Sequence, residues 1–155
     1  MSLVRILIDG YSLLHNWPEL APRRARHSAA ARDELVQKLT LYRDAIGTPI
    51  TIVFDGGGAP PGTPAAHSTR ELEVIYSRAG QTADDVIERV AHRLADFGEV
   101  LVVTNDFAER DTIISLGGMV SSCENFKHTV SDTLREQKHE IKKLNRRDRI
   151  KFKSS

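Results

Sequence analysis

Short, almost continuous apolar runs alternate along the chain with longer segments in which apolar residues recur at helical spacing. The apolar runs predict five strands, at about residues 3–9, 50–55, 72–76, 100–104 and 119–122. The helical spacing predicts helices at about residues 28–45, 82–97, 107–116 and 131–144, and residues 10–27 are expected to be irregular. Strands separated by helices imply right-handed crossovers and a mainly parallel sheet. The second and fourth runs are typical of strands buried on both faces, so the sequence predicts an α/β fold.

The pattern predicts one folded domain over residues 1–145, followed by a basic, flexible tail at residues 146–155. A chain of 155 residues is long enough to bury a hydrophobic core. Residues 56–64 are rich in glycine and proline, so we expect them to form a mobile loop.

The composition is that of an ordinary globular protein, with 40% hydrophobic and 28% charged residues. The single cysteine, Cys123, excludes an internal disulfide and a zinc site built on cysteines. It also fits a reducing compartment, and we therefore expect a cytoplasmic protein. No apolar run approaches the ~18 residues that a membrane-spanning helix needs, so no membrane partner is expected.

The net charge of +1 conceals an uneven distribution. Residues 135–153 contain nine Lys or Arg and three Asp or Glu, a surplus of six positive charges that leaves −5 on the rest of the chain. An acidic body with a basic end favours a cation site together with a surface for an anionic polymer. A solvated helix that ends in a disordered stub explains the basic end equally well.

Four aspartates stand where the predicted strands end or a helix begins. Asp9, Asp55 and Asp106 follow the first, second and fourth strands, and Asp84 opens a helix. The carboxyl ends of parallel strands share one edge of the sheet, where ligands bind. Converging carboxylates repel one another unless a cation lies between them, and oxygen ligands without histidine or cysteine suit Mg²⁺ or Mn²⁺. The aspartates therefore indicate phosphoryl-transfer or phosphodiester chemistry.

Each acid also has a purely local explanation. Asp9 could cap its own turn, Asp55 could begin a loop, and Asp106 could be the N-cap of the next helix. Thr82 and Asp85 form an acidic variant of the capping box, so we assign Asp85 to capping and Asp84 to the site. Polar neighbours at the same edge are expected to support the site, namely Ser12, Thr104, Asn105, Asp85 and Glu88.

Two other kinds of phosphate chemistry are excluded. A haloacid-dehalogenase phosphatase needs a second acid two residues after Asp9, and Tyr11 occupies that position. Neither the glycine-rich dinucleotide fingerprint nor the P-loop motif occurs in the chain.

Five short motifs in order resemble the NYN domain, a branch of the PIN-like ribonuclease superfamily, and within it the bacterial YacP-like NYN family. The motifs are Ile6-Leu7-Ile8-Asp9-Gly10-Tyr11, Trp17-Pro18-Glu19-Leu20 with Ala31-Arg32, Val53-Phe54-Asp55, Gln81-Thr82-Ala83-Asp84 with Ile87-Glu88, and Val102-Val103-Thr104-Asn105-Asp106. The resemblance covers about residues 3–145. The chain departs from the family pattern at Ser12, where asparagine is usual, at Asp85, where serine is common, and in the loop at residues 56–64.

The resemblance implies a three-layer α/β/α sandwich with a sheet of about five strands. It also implies a metal-dependent endoribonuclease that holds one or two Mg²⁺ or Mn²⁺ ions. Asp9, Asp84 and Asp106 would be the central catalytic and metal-binding residues, with Asp55 as a supporting ligand and Arg32 as a phosphate contact. The expected substrate is messenger RNA or RNA associated with the ribosome.

Acids alone repel RNA, so basic residues must supply attraction to the phosphates. The expected contributors are Arg23, Arg32, Lys142, Lys143, Arg146 and Arg147. Two alternatives stay open, a non-catalytic module that binds RNA or ribosomes and a nuclease that acts on DNA. The oligomeric state is also open.

Overall fold

A computed structural model describes residues 3–56 and 71–154, with the side chains described as far as residue 149. Its five strands are β1 (Leu3–Asp9), β2 (Ile50–Phe54), β3 (Leu72–Tyr76), β4 (Glu99–Val103) and β5 (Met119–Ser121). The predicted glycine- and proline-rich loop lies outside the described residues, except for Gly56.

The strands form one sheet in the order β3-β2-β1-β4-β5, and every neighbouring pair is parallel. Ile8 in the central strand β1 is level with Ile52 in β2 and with Val103 in β4. The strands β1, β2 and β4 therefore end side by side, which confirms the predicted parallel α/β sheet.

Helices cover both faces of the sheet. They are α1 (Gly10–His15), α2 (Ala29–Ile46), α3 (Ala83–Leu94), α4 (Phe107–Ser115) and α5 (Cys123–Ser154), and a short 3-10 turn, Ala95–Phe97, follows α3. Ile6 and Ile8 pack in one core with α1, α2 and the beginning of α5. Leu7, on the opposite face of β1, packs in a second core with α3 and α4. The predicted three-layer α/β/α sandwich is thus confirmed.

The structure differs from the predicted elements at two helices. The segment after β1 begins with the six-residue helix α1, which is too short to show a full helical period and starts at a glycine, a poor helix former. The last helix begins at Cys123 rather than at residue 131, because Cys123, Phe126 and Val130 already lie at helical spacing and are buried.

The same helix α5 continues past residue 145 without a break. All its described residues from Arg135 to Arg149 are exposed, so this half extends beyond the cores. A separate tail at residues 146–155 stays a prediction.

Gly10 fixes how α1 lies over the sheet. A Cβ atom at this position would be 2.6 Å from Cδ1 of Phe54, at the end of β2. Only glycine permits so close an approach of the backbone to an aromatic ring. The close packing places the start of α1, and with it Asp9, beside the end of β2.

Candidate metal centre

Three carboxylates from distant parts of the chain converge at the carboxyl edge of the sheet. They belong to Asp9 at the end of β1, Asp84 in the first turn of α3 and Glu109 in the first turn of α4. One oxygen atom from each lies within 4.8 Å of the others. Asp9 and Asp84 are half-buried, whereas Glu109 is only 2% exposed. We call these three residues the acid group.

Glu109 lies in an environment that disfavours its negative charge. The pKa of this carboxyl is raised to about 9, chiefly by burial and also by the neighbouring Asp84, through a hydrogen bond and through charge repulsion. The Thr104 hydroxyl donates to Oε2 at 2.9 Å, which opposes the shift. The other oxygen, Oε1, is buried and has no hydrogen-bond partner among the described residues. A proton on the Glu109 carboxyl, or a cation beside it, would compensate for the missing donor.

The pKa of Asp9 is also raised, chiefly by burial. Hydrogen bonds from the Ser12 backbone and side chain lower it, and the charges of Asp84 and Asp55 raise it again. The backbone amide of Ser12 donates to Oδ1 of Asp9 at 3.2 Å. Asp9 is therefore both the N-cap of α1 and a member of the acid group, and the cap holds its carboxylate in a fixed orientation.

The acid group fits a hard divalent cation. It offers carboxylate oxygens only, which is the ligand type that Mg²⁺ and Mn²⁺ prefer. Two of its members have raised pKa values, and a buried oxygen lacks a donor. A cation between the three carboxylates would favour their charged forms and so lower the raised pKa values. It would also give the buried oxygen a partner.

Asp106, which the sequence predicts as a central ligand, lies outside the acid group. Its Oδ1 accepts hydrogen bonds from the backbone amides of Ala108 at 2.9 Å and Glu109 at 3.4 Å. The side chain thus caps α4, the local role that the sequence offered as an alternative, and in doing so it fixes the turn that carries Glu109. A direct metal contact by Asp106 stays a prediction.

Sequence reasoning did not find Glu109. Its signal was present, because it stands three residues after Asp106 in a turn that follows a buried strand. That spacing is also the pattern of a capping box, which gives a local explanation for the acid and conceals its place in the site.

The other predicted residues surround the acid group. Asp55 is exposed at the rim, where its Oδ1 accepts a hydrogen bond from Ser77 Oγ at 3.0 Å. The predicted capping box is present, with 3.1 Å between Asp85 N and Thr82 Oγ1 and 3.0 Å between Thr82 N and Asp85 Oδ2. Glu88 is half-buried on α3 and is not part of the acid group.

Two polar residues after β4 have structural partners. Thr104, which is 3% exposed, donates to Glu109 and accepts from the backbone amide of Asp106 at 3.1 Å. Asn105 Oδ1 accepts from the backbone amide of Cys123 at 2.9 Å and so connects the end of β4 to the start of α5. The pKa of the Cys123 thiol is raised to about 12, chiefly by burial and also by the charges of Asp9 and Glu109.

An open cleft of about 510 Å³ leads to the acid group, and aromatic rings form one wall of it. The ring centroids of Tyr11 and His27 are 4.2 Å apart, and those of His15 and His27 are 5.2 Å apart. Arg32, predicted as a phosphate contact, donates through Nη1 to Tyr11 Oη at 3.1 Å and to the His27 carbonyl at 2.7 Å. Its guanidinium therefore braces the wall of the cleft.

The remaining predicted RNA contacts are exposed and distant in sequence from the acid group. Arg23 lies between α1 and α2. The basic residues Lys142, Lys143, Arg146 and Arg147 all lie on the exposed half of α5.

A parallel α/β/α sandwich with an acid group at the carboxyl edge of its central strands defines a protein of the PIN-like class. The family model of the YacP-like NYN domain matches residues 6–155, and the chain belongs to this family. The predicted family is therefore confirmed.

Individual relatives agree with this assignment. The "Uncharacterized protein YacP" of Bacillus subtilis (strain 168) is 29% identical over 140 residues, which cover 90% of this chain and 82% of the relative. The crystal structure of the W164L mutant of Rae1 (YacP) from Bacillus subtilis is similar, with a TM-score of 0.75 and 30% identity, over 91% of this chain and 82% of that one. A second crystal structure of Rae1 (YacP) gives a TM-score of 0.74 and 27% identity, over 93% and 82% of the two chains.

Membership of this family supports a nuclease role that involves RNA. NYN and PIN-like nucleases generally use divalent metals, and the acid group could bind one. Within the described residues, no helix has the length and apolar character that crossing a membrane requires.

Proposed function

We propose that this protein is a metal-dependent endoribonuclease that hydrolyses RNA phosphodiester bonds, and that Asp9, Asp84 and Glu109 hold its Mg²⁺ or Mn²⁺. The observation that carries the proposal is the convergence of three carboxylates within 4.8 Å, one of them with a buried oxygen that lacks a donor. Asp55 and Asp106 are sequence-based candidates for further ligands, and Glu88 and Asp85 for supporting roles.

A bound divalent cation would supply the positive charge that activates a water molecule and stabilises the phosphate oxygens. The protein holds the ligands in position. The Ser12 amide orients Asp9 through its hydrogen bond to Oδ1, and the Thr104 hydroxyl orients Glu109 through its hydrogen bond to Oε2. Fixed ligands lower the cost of reorganisation during the reaction.

Without a cation the acid group repels RNA, because carboxylates repel phosphate, so the attraction would come from the bound cation and from basic residues outside the acid group. Arg23 and the exposed basic half of α5 provide positive charge, while Arg32 supports the cleft wall through Tyr11. Phosphate contacts of this kind give affinity with little sequence reading and a strong dependence on salt. We infer that the natural substrate is cytoplasmic messenger RNA or RNA on the ribosome, where a partner would select the site of cleavage.

The test is cleavage of a labelled structured RNA in Mn²⁺, Mg²⁺ or EDTA. Asp9→Asn should abolish metal-dependent cleavage, whereas Asp111→Asn should leave it unchanged, because Asp111 is an exposed acid of α4 outside the acid group. Mn²⁺ binding by calorimetry should be lost in the same variant that loses cleavage. A DNA strand of the same sequence, assayed in parallel, tests whether the enzyme selects RNA.

The exposed basic half of α5 favours one second candidate, a module that binds RNA or ribosomes without cutting. Salt-sensitive RNA binding without cleavage in any metal, and equal in the wild type and Asp9→Asn, would support that function. Cleavage that persists in EDTA would contradict the metal-dependent proposal.

A further inference from the structure

A second open cavity, of about 610 Å³, lies at the same edge of the sheet, over the ends of β4 and β5. It lies next to the acid group, and no substrate contact proposed above lies in it. Its lining combines an aromatic ring, a cationic side chain and several polar groups, contributed among others by Phe107, Arg110, Asn105, Asn125, Ser122 and Asp106. We call it the β4–β5 cavity.

The aromatic ring in the β4–β5 cavity is unusually exposed for its type. Phe107 is 77% exposed in the first turn of α4 and has no ring partner among the described residues. Arg110, three residues later on the same helix, is exposed, and its guanidinium has no hydrogen bond or ion pair to any described residue. An exposed aromatic face beside a cationic side chain is what single-stranded nucleic acid binds, through base stacking and phosphate contact.

The polar groups of the cavity suit a base edge better than a phosphate. Asn105 uses Oδ1 to bind the Cys123 amide, so its NH₂ group is the end left to donate. Asn125 presents a second exposed amide, and the Asp106 carboxylate adds an acceptor that would repel phosphate. The edge of a nucleobase likewise carries hydrogen-bond donors and acceptors next to one another.

The β4–β5 cavity is connected to the acid group through one side chain. Thr104 lines the cavity and also donates to Glu109 at 2.9 Å. The strands β1, β4 and β5 are neighbours in the sheet, and each strand spacing is ~4.8 Å. The cavity therefore lies about two strand spacings from the end of β1, close enough for a nucleotide that neighbours a phosphate at the acid group.

We propose that the β4–β5 cavity binds an unpaired nucleobase next to the phosphate that is cut, with Phe107 stacking on the base. Arg110 contacts the adjoining phosphate, and the amides of Asn105 and Asn125 contact the base edge. The inference rests on the proposed nuclease function for the position of the cut, but base binding itself can be measured without cleavage.

The test compares two exposed phenylalanines. Phe107→Ala is the test variant, and Phe97→Ala is the matched control, because Phe97 is 74% exposed in the turn after α3, away from both cavities at this edge. Binding of a single-stranded RNA is measured in EDTA, and KM and kcat are measured in Mn²⁺. Phe107→Ala should weaken binding and raise KM about 5- to 150-fold, the range that base–aromatic stacking gives. Phe97→Ala should stay within about twofold of the wild type.

An abasic scan identifies the base that the cavity holds. The RNA is made with a single abasic nucleotide at successive positions around the cut. With the wild-type protein, an abasic nucleotide at one position should weaken binding as much as Phe107→Ala does with the intact RNA. The same abasic RNA should cause no further loss of binding to the Phe107→Ala variant. Phe107→Trp should restore binding, whereas Phe107→Leu should not, because leucine is apolar but cannot stack.

The outcomes separate this inference from the nuclease proposal. If Phe107→Ala binds and cleaves like the wild type, the base-binding cavity is wrong and the nuclease proposal stands. If no metal supports cleavage but binding depends on Phe107 and on one base, the cavity stands and the nuclease proposal fails. Restoration by Phe107→Leu, or equal losses with every abasic RNA, would overturn stacking at this cavity.

Discussion

The substitution Glu109→Gln separates the proposed metal role of Glu109 from its effect on stability. Glutamine has the same shape, and its amide oxygen can still accept the hydrogen bond from Thr104. Its NH₂ group can donate towards Asp84, as a protonated Glu109 would. The variant therefore mimics the neutral carboxyl and removes only the ability to become negative and bind a cation.

The sign of the pH effect follows from the raised pKa of Glu109. In the folded protein this pKa is about 9, whereas its ordinary value is 4.5. Between these values the metal-free folded state keeps a proton that the unfolded state has lost. The contribution of this proton to the free energy of unfolding is therefore fully present below the ordinary pKa of 4.5, and it is lost as the pH rises towards 9. The raised pKa of Asp9 acts in the same direction.

The expected magnitude is up to about 1.4 kcal/mol per pH unit for one proton. For a chain of this size that corresponds to about 3–6 °C in Tm per pH unit. Glu109→Gln removes this slope, so the metal-free variant should match the wild type near pH 5 and exceed it near pH 8.5. Mn²⁺ at about 100 times its Kd should stabilise the wild type by about 2.7 kcal/mol and the variant much less.

The assay is thermal unfolding in EDTA and in Mn²⁺ across this pH range. Glu136→Gln, which makes the same chemical change at an exposed position of α5, is the control and should follow the wild type in both conditions. An equal Mn²⁺ shift in the wild type and Glu109→Gln would show that Glu109 holds no metal. A flat pH dependence of the metal-free wild type would refute the raised pKa.

Three further outcomes are expected. Gly10→Ala should lower the free energy of unfolding by about 1–3 kcal/mol, because its Cβ would lie 2.6 Å from Phe54 Cδ1; an unchanged denaturant midpoint would contradict this packing. Asp106→Asn should keep both its helix cap and the Mn²⁺-induced rise in Tm, since asparagine caps as well as aspartate; loss of that rise would instead make Asp106 a ligand. Saturating Mn²⁺ should tighten RNA binding, and RNA should tighten Mn²⁺ binding by the same factor, which calorimetric titration in both orders measures; an RNA affinity that Mn²⁺ leaves unchanged would mean that the two ligands bind independently.

The strands and the edge at which the site lies could be predicted from the sequence because both depend on local pattern. Buried parallel strands have almost continuous apolar runs, and strand ends of a parallel sheet meet at one edge. Those two rules place Asp9 at this edge, and Asp84 lies there too because it begins a helix of the same parallel sheet. The rules do not specify which face of a following helix points at the site, so they could not choose between Asp106 and Glu109.

The choice depends on tertiary geometry. Asp106 turns its carboxylate towards its own helix, and this cap orients the next turn so that Glu109 enters the space beside Asp84. Arg32 shows the same limit, because its sequence position does not indicate the hydrogen bonds of its Nη1 to Tyr11 Oη and to the His27 carbonyl. A phosphate contact by Arg32 stays a prediction. Where a side chain has a local hydrogen-bond partner, that partner sets its position, and sequence spacing alone does not predict it.

Three acidic side chains lie together in the acid group, and positive charge is concentrated on the exposed half of α5. The acid group is internal and can be neutralised by protons or by a cation, whereas the excess positive charge lies on the exposed half of α5. When the acid group is neutralised by protons alone, it does not attract a phosphate. The basic helix would then bind RNA without placing it in the cleft. Under the proposed function, a bound cation would make the site itself attractive to phosphate, so that basic residues of α5 would not have to supply all of the attraction. In that proposal the cation would bind the substrate as well as catalyse the reaction, which is how three carboxylates would be compatible with an anionic substrate.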